Sequence, residues 1–470
     1  QLLQQQLNAK AAAQTRLLSG KPRPAAVTAL AQELAALTAQ ADGVRAQIRA
    51  ASPRYAALTQ PQPLDAPAVQ RLLDDDTLLL VYALGERTSY LWAVTPKTLT
   101  SYALPPRAEI EAAARKVYVL LTARQPHPGL TETQQRARIA ATEADFPAQA
   151  AALSRMLLSP VAAQLGAKRL AIVAADALAY LPFAALPDPA AEMKQPLLAA
   201  HEIVNLPSAS TLALLRQTNT ASRTSDQTLA VFADPVFEAS DPRVALARKG
   251  KAAISPAPVE ALTAELGRSL RSSTTRAELT RLPFSREEAE ALATLVPARQ
   301  VLKATGFQAT RAAVTSDTLS RYRFVHFATH GLLNAEQPEL SGLVFSLVDE
   351  AGHAQDGFLR LHEIYNLRLS AEVVVLSACQ TALGKEIRGE GLIGLTRGFM
   401  YAGAPRVVAS LWQVDDLATA ELMKRFYGGM LQQGLKPAAA LRAAQLELFR
   451  QRRYAAPFYW AAFGLQGDWR

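Results

Sequence analysis

The sequence predicts an α/β protein built on a mostly parallel sheet with helices on both faces. Three observations predict it. Short, continuously apolar runs such as Val373-Val374-Val375-Leu376 suit central strands covered on both sides. Those runs alternate with helical stretches, as layered α/β proteins require. The 470 residues are 50% apolar and 19% charged, which supplies more than one core.

Taken in order, residues 1–58 read as a helical hairpin, the remnant of a longer upstream helical region. Its first helix runs Leu2 to Leu18, and Pro22 and Pro24 separate it from the second. The second carries Val27, Leu30, Leu34, Leu37, Ala41, Val44 and Ile48 at three-four spacing, a coiled-coil-like seam. Residues 59–67, with three prolines, form a linker. Residues 68–237 form a first α/β unit. A hairpin joins Thr77–Leu84 to Ser89–Thr95 around Gly85-Glu86-Arg87, helices follow near Arg107–Leu121 and Thr133–Leu158, and Arg169–Ala174 and Leu229–Ala233 are buried strands.

Residues 238–283 read as a basic, flexible linker. Between Arg243 and Arg286 nine Lys/Arg stand against three Glu, a local +6 within a chain total of +9. That segment has no aromatic residue before Phe284 on which a base could stack, which argues against nucleic acid as the partner. A second α/β unit, 284–470, opens on a capping box, Ser285 to Glu288. It continues with a strand Arg299–Leu302, a helix Gln308–Asp317, strands Arg323–Ala328, Gly342–Val348 and Glu372–Leu376, and a helix Leu392–Tyr401. Strand Arg406–Leu411, helices Asp415–Leu431 and Lys436–Arg450, and strand Tyr459–Leu465 complete it.

The longest apolar stretch, Val161 to Leu186, is broken by Lys168, Arg169 and Asp176, so no membrane span is expected. No signal peptide is visible, and the chain starts at Gln1 without Met, which points to a removed upstream region. One cysteine excludes an internal disulfide and favours a reducing, cytoplasmic setting. The Ala- and Arg-rich composition suits a GC-rich bacterial genome.

The chemistry sits after two of the apolar runs. Phe324-Val325-His326-Phe327-Ala328-Thr329 leads to His330-Gly331, and Val373-Val374-Val375-Leu376-Ser377-Ala378 leads to Cys379. In open α/β sheets, sites form beyond the carboxyl ends of strands. A thiol needs an imidazole or backbone dipoles to become thiolate near neutral pH, so His330 and Cys379 read as a catalytic pair. Their separation of 49 residues (379 minus 330) matches the spacing of the caspase pair. The backbone N–H groups of Gly331 and Cys379 are candidate oxyanion donors. His326 reads as a buried, hydrogen-bonded strand residue. His326 and His330 lie roughly 13 Å apart along a strand, too far to share a metal, so neither a metal nor a cofactor is expected. There is no Gly-x-Ser-x-Gly elbow and no phosphate-binding Gly loop; Gly389-Glu390-Gly391 reads as a loop rim.

With these residues in view, the chain resembles the CHAT family, caspase-like peptidases often joined to tetratricopeptide repeats, and more distantly separases and caspases. The resemblance runs from about Thr77 to Gly467. It rests on Leu170–Pro187, Phe232-Ala233-Asp234-Pro235, Leu282 to Ala289, His326 to Gly331, Ser377 to Thr381 and Gly389 to Asp416. It implies a caspase-like catalytic sheet in the second unit and a degenerate protease-like subdomain in the first. It implies a cysteine endopeptidase with a protein substrate, the effector end of a larger sensor with an upstream repeat partner. Gln380-Thr381 after the cysteine departs from the Arg-Gly of caspases, so Asp-specific cleavage is not implied. The segment Trp412 to Asp416 matches the pocket-lining segment of the family, where separases carry an Asp and cut after Arg. Asp416, Asp415 and Trp412 are therefore expected to bind a basic side chain, cleavage falling after Arg or Lys. The competing assignment for the two aspartates is a helix cap. The competing function is a catalytically silent interaction module with the same fold. The Arg-rich segment 243–286 is a candidate for self-cleavage or regulation.

Overall fold

The computed structural model describes residues 63–470 apart from 126, 128, 175, 192–194, 219–224, 249–278, 280, 333–340, 378–389 and 413–414, together with Glu33, Ala36 and Gly43. Two compact units divide the chain, 1–63 and 64–470. In the first, Glu33, Ala36 and Gly43 are helical and exposed; the expected helical hairpin otherwise lies outside the described residues.

The second unit is organised by one sheet. Its first strands are β1 (Thr77–Ala83), β2 (Ser89–Val94), β3 (Leu99–Leu104), β4 (Arg169–Val173), β5 (Ile203–Leu206) and β6 (Gln227–Ala233). These are followed by β7 (Val301–Thr305) and β8 (Tyr322–Ala328), then by β9 (His330–Leu332), β10 (Gly342–Val344) and β11 (Phe358–Arg360). The last are β12 (Val373–Leu376), β13 (Arg406–Ser410) and β14 (Phe463–Gly467). Among the described residues, eleven strands form the main sheet in the order β3-β2-β1-β4-β5-β14-β13-β12-β8-β6-β7, and β11-β10-β9 form a small second sheet. Pairing in the main sheet is parallel except for β1–β2, β2–β3 and β13–β14. The expected mostly parallel sheet is what forms.

The continuous apolar runs are indeed central. Every residue of β12 and of β13 is buried. Each such Val or Leu contributes about 1.5–3 kcal/mol on leaving water. The helices that cover the sheet are α1 (Arg107–Leu121), α2 (Glu132–Leu158), α3 (Ala209–Thr218), α4 (Pro283–Ala293), α5 (Glu390–Ala402), α6 (Asp416–Leu431) and α7 (Pro437–Arg450). Successive residues of β8 show that both faces are covered, because side chains alternate along a strand. Phe324 and His326 meet Tyr427 of α6, whereas Phe327 stacks on the opposite side near Phe399 of α5, ring centres 5.4 Å apart.

Several elements depart from expectation. Strand β6 was counted with the first α/β unit, yet it pairs with β8 and β7 of the second. Apolar content marks a strand but carries no information on its neighbour. Strand β14 lies antiparallel to β13 and touches β5 in parallel, so it stitches the two halves into one sheet. It begins at Phe463, because Pro457 starts a short helix, Pro457–Trp460, where a strand was expected from Tyr459. The helix expected over Gln308–Asp317 shortens to Arg311–Val314, capped by Thr310. Strands β3 and β5 were not anticipated: β3 is a half-exposed edge strand with alternating polar residues, and β5 has only four residues. Glu390 and Gly391, read as a loop rim, are the first residues of α5. No described helix is long and apolar enough to cross a membrane.

One glycine is sterically required where α5 turns into β13. Gly403 has φ +128° and ends α5 in a Schellman-like turn, with Ala404 N–H donating to Phe399 O at 3.0 Å. A Cβ there would sit 2.1 Å from Leu369 O, whereas at Gly434, also with positive φ, it would meet nothing. Gly403→Ala should therefore cost about 2 kcal/mol or more, and Gly434→Ala about 1 kcal/mol. Thermal midpoints of the two variants check this; equal losses would contradict the steric account.

Candidate active site

Strands β8 and β12 are parallel neighbours in register Phe324↔Val373 through Phe327↔Leu376. They end together, and the backbone N–H of Ser377 donates to Phe327 O at 2.9 Å. The two segments that carry His330 and Cys379 thus leave the sheet side by side, at its carboxyl edge. Cys379 itself lies two residues past Ser377, outside the described residues.

His330 was read as the end of the β8 segment. The chain instead steps out of the main sheet at Thr329, whose hydroxyl donates to Val344 O, and His330 opens β9 of the small sheet, opposite Val344. The His330 residue is 2% exposed. Its ring stands 5.1 Å from that of Phe237, which packs with Leu332, Val344 and Phe358 just beyond β6. The aromatic contact holds the imidazole, and strand pairing holds the His330 backbone. Gly331 lies opposite Leu343 in the same pairing.

Behind this edge runs a buried polar network. His326 is fully buried, as its sequence context suggested, with Nδ1 3.3 Å from the Tyr427 hydroxyl. Its Nε2 lies 3.2 Å from Glu288 Oε1, close but off the line of a good hydrogen bond. The Ser377 hydroxyl donates to the same oxygen at 2.8 Å. A carboxylate only accepts, so Glu288 takes the Ser377 proton, while the Tyr427 hydroxyl lies within hydrogen-bond reach of His326 Nδ1. Burial, followed by the Glu288 charge, raises the Tyr427 phenol well above its usual range and keeps it a donor.

Glu288 corrects a local expectation. Ser285 and Glu288 do not form a capping box: Pro283 starts α4 two residues earlier, with Leu282 at the cap. The Ser285 hydroxyl donates to Leu282 O and accepts from Asp234 N–H. Glu288 is thereby turned inward, 4% exposed, toward Ser377 and His326. Sequence reasoning missed this role because S-x-x-E before an apolar run signals a cap; the one hint was an acidic residue at an apolar position of the helix.

The segment after β13 divides its three candidate residues. Trp412 is fully buried: its indole N–H donates to Phe458 O at 3.1 Å, and its ring meets the edge of Tyr118 from α1. Its side chain packs in the core. A large aromatic with one polar atom is most stable where that atom finds an acceptor. Asp415 caps α6, its carboxylate accepting from Ala418 N–H at 3.0 Å. Asp416 is exposed as a residue, yet protein crowds its carboxyl. Desolvation first, then the charges of Asp415 and Glu288, raise it above the usual aspartate range.

The ends of the basic segment are structured, while 249–278 lie outside the described residues. Arg243, Arg281 and Arg286 all reach the fully buried carboxylate of Asp234, at 2.9, 3.0 and 2.9 Å. Asp234 follows β6 at φ +47° and directs the chain toward Phe237 and His330.

With the geometry described, comparison with known proteins places the chain. A family model for the CHAT domain matches residues 147–468. Tetratricopeptide repeat protein 28 of Mus musculus is 30% identical over 221 residues, covering 40% of this chain and 9% of that protein. The Homo sapiens protein of the same name is 30% identical over 216 residues, covering 40% and 8%. The chain thus spans less than a tenth of the length of these relatives. Among solved structures, separase in the Saccharomyces cerevisiae separase–securin complex aligns with a TM-score of 0.52 at 10% identity, covering 89% of this chain and 31% of that one. That likeness is one of fold: a caspase-like sheet flanked by helices.

Proposed function

The chain belongs to the CHAT domain family, and from that membership we propose that it is a cysteine endopeptidase whose catalytic pair is His330 and Cys379. The observation that carries the reading is the adjacency of β8 and β12. Two parallel strands end together, with His330 two residues past one and Cys379 three past the other. In the proposed reaction the Cys379 thiolate attacks a peptide carbonyl, and the N–H groups of Gly331 and Cys379 stabilise the oxyanion. His330 gives its proton to the leaving amine, then takes one from the water that hydrolyses the thioester. Repeat-containing relatives support a further step in the reading: a repeat region, upstream or on a partner, governs this unit as its sensor.

Cleavage is proposed to follow Arg or Lys. Asp416 supports this, because its exposed, crowded carboxyl gains by pairing with a cation; Asp415 is spent on its helix. Asp416→Asn should lower kcat/KM for an Arg peptide about tenfold or more, the worth of a charge-assisted hydrogen bond. Asp415→Asn should change it by less than about threefold, since Asn caps equally well. Because the Asp416 carboxyl is raised, the basic preference exists only above that raised pKa. It should fade on acidification sooner than an ordinary aspartate would allow.

The test is labelling with an Arg-bearing acyloxymethyl ketone, read as intact mass. Wild type should gain one adduct and Cys379→Ala none. Equal labelling of both would eliminate Cys379 as nucleophile, and a cleavage preference for Asp or Glu would eliminate Asp416 as the selecting acid.

A further inference from the structure

Cys379 is reached through a short segment whose last described residue, Ser377, is held twice: by its N–H to Phe327 O and by its hydroxyl to Glu288 Oε1 at 2.8 Å. The second hold is unusual. It places a carboxylate, 4% exposed, behind a catalytic strand, where burial of charge is costly unless hydrogen bonds meet it. Four elements meet in its network: α4 supplies Glu288, β8 and the end of β12 bring His326 and Ser377 to it, and α6 supplies Tyr427 to His326. Asp416, at the start of α6, also senses the Glu288 charge. A packed apolar residue would serve stability at this position at least as well. Retaining the acid makes sense if it aims something.

We propose that Glu288 is a positioning residue that acts through Ser377 to set where the chain carrying Cys379 leaves β12, and so how the thiol meets His330. This rests on the peptidase reading for its consequence, but not for its measurement. Among the described residues, the backbone bond to Phe327 is what remains at Ser377 without the Glu288 bond, which leaves Ser377 free to rotate. A displacement of about 1 Å from the working geometry costs on the order of a hundredfold in rate.

The single cysteine of the chain allows a direct test. The pH profile of iodoacetamide alkylation reports the thiol of Cys379 whether or not the protein cleaves anything. Ser377→Ala should move the alkylation midpoint upward toward the free-thiol value of about 8.5. In cleavage assays it should lower kcat at least about tenfold with KM within about threefold. Ser377→Thr, which restores a hydroxyl, should recover both. Glu288→Gln should lower kcat less in the Ser377→Ala background than in wild type, because the two act through one bond. A wild-type alkylation profile in folded Ser377→Ala overturns the proposal, as do additive effects of the two substitutions. Absence of cleavage by every variant, wild type included, would sink the peptidase reading while the alkylation profiles still decide the role of Glu288.

Discussion

Cys379→Ala is expected to reduce cleavage of an Arg peptide to the buffer rate, and His330→Ala to lower kcat by about 10³–10⁴. The two defects should not add. A thiol without its imidazole and an imidazole without its thiol disable the same step, so the double variant should be no slower than Cys379→Ala. The variants also separate by pH. In His330→Ala the thiol is intact and should still be alkylated above about pH 9, where it ionises unaided. Progress curves on one peptide, with alkylation as a control, check this. A His330→Ala enzyme within tenfold of wild type would remove His330 from the dyad. His330 is buried against Phe237, so the alanine variant also needs a thermal midpoint near wild type before its rate is read.

Removing the Asp234 carboxylate should have the largest effect on stability. Three guanidinium groups meet it, and the residue is wholly buried. Breaking such a set by deleting the anion it shares typically costs about 3–5 kcal/mol. Here Arg281 and Arg286 keep 43% and 35% side-chain exposure and can relax into water, whereas Arg243 at 14% cannot, which favours the lower end. Asp234→Ala should therefore lose about 3 kcal/mol, seen as a fall of several degrees in thermal midpoint. Asp234→Asn should lose less, because Asn tolerates the positive φ and still accepts hydrogen bonds. A midpoint within a degree of wild type for Asp234→Ala would show that the arginines are satisfied elsewhere. Neighbouring Asp241 adds a pH signature. The hydrogen bond from Arg243 holds its carboxyl below the usual range. Its contribution is present above the unfolded value of 3.8 and is lost as pH falls through the lower folded value, so stability from this group changes with pH only in acid.

The site was partly legible because its chemistry follows strands that identify themselves. The runs Phe324–Ala328 and Val373–Leu376 are apolar without interruption, which fits only a strand covered on both faces. The runs that lead to His330 and Cys379 could thus be read as strands, and His326 as a buried, hydrogen-bonded strand residue. Glu288 was not legible: its spacing from Ser285 fits a cap, and only Pro283 and the packing of α4 on the sheet turn it inward. The surroundings of Trp412 were not legible either: the family resemblance placed it in a pocket-lining segment, and the acceptor of its indole N–H, Phe458 O, lies 46 positions away.

By itself the sequence determined most of the strands and helices around the candidate site, since burial period, prolines and glycines act over a few residues. It also offered His330 and Cys379, after two of those strands, as the candidate pair. The tertiary structure alone decided that β8 lies beside β12, that β6 inserts between β8 and β7, and that β14 joins the halves. It alone brought Arg243, Arg281 and Arg286 to one carboxylate and Ser377 to Glu288, 89 positions away in the chain. Such choices depend on which faces of distant segments bury the most apolar surface together while pairing every buried polar group. That is a property of the assembled sheet, and no local stretch of the chain contains it.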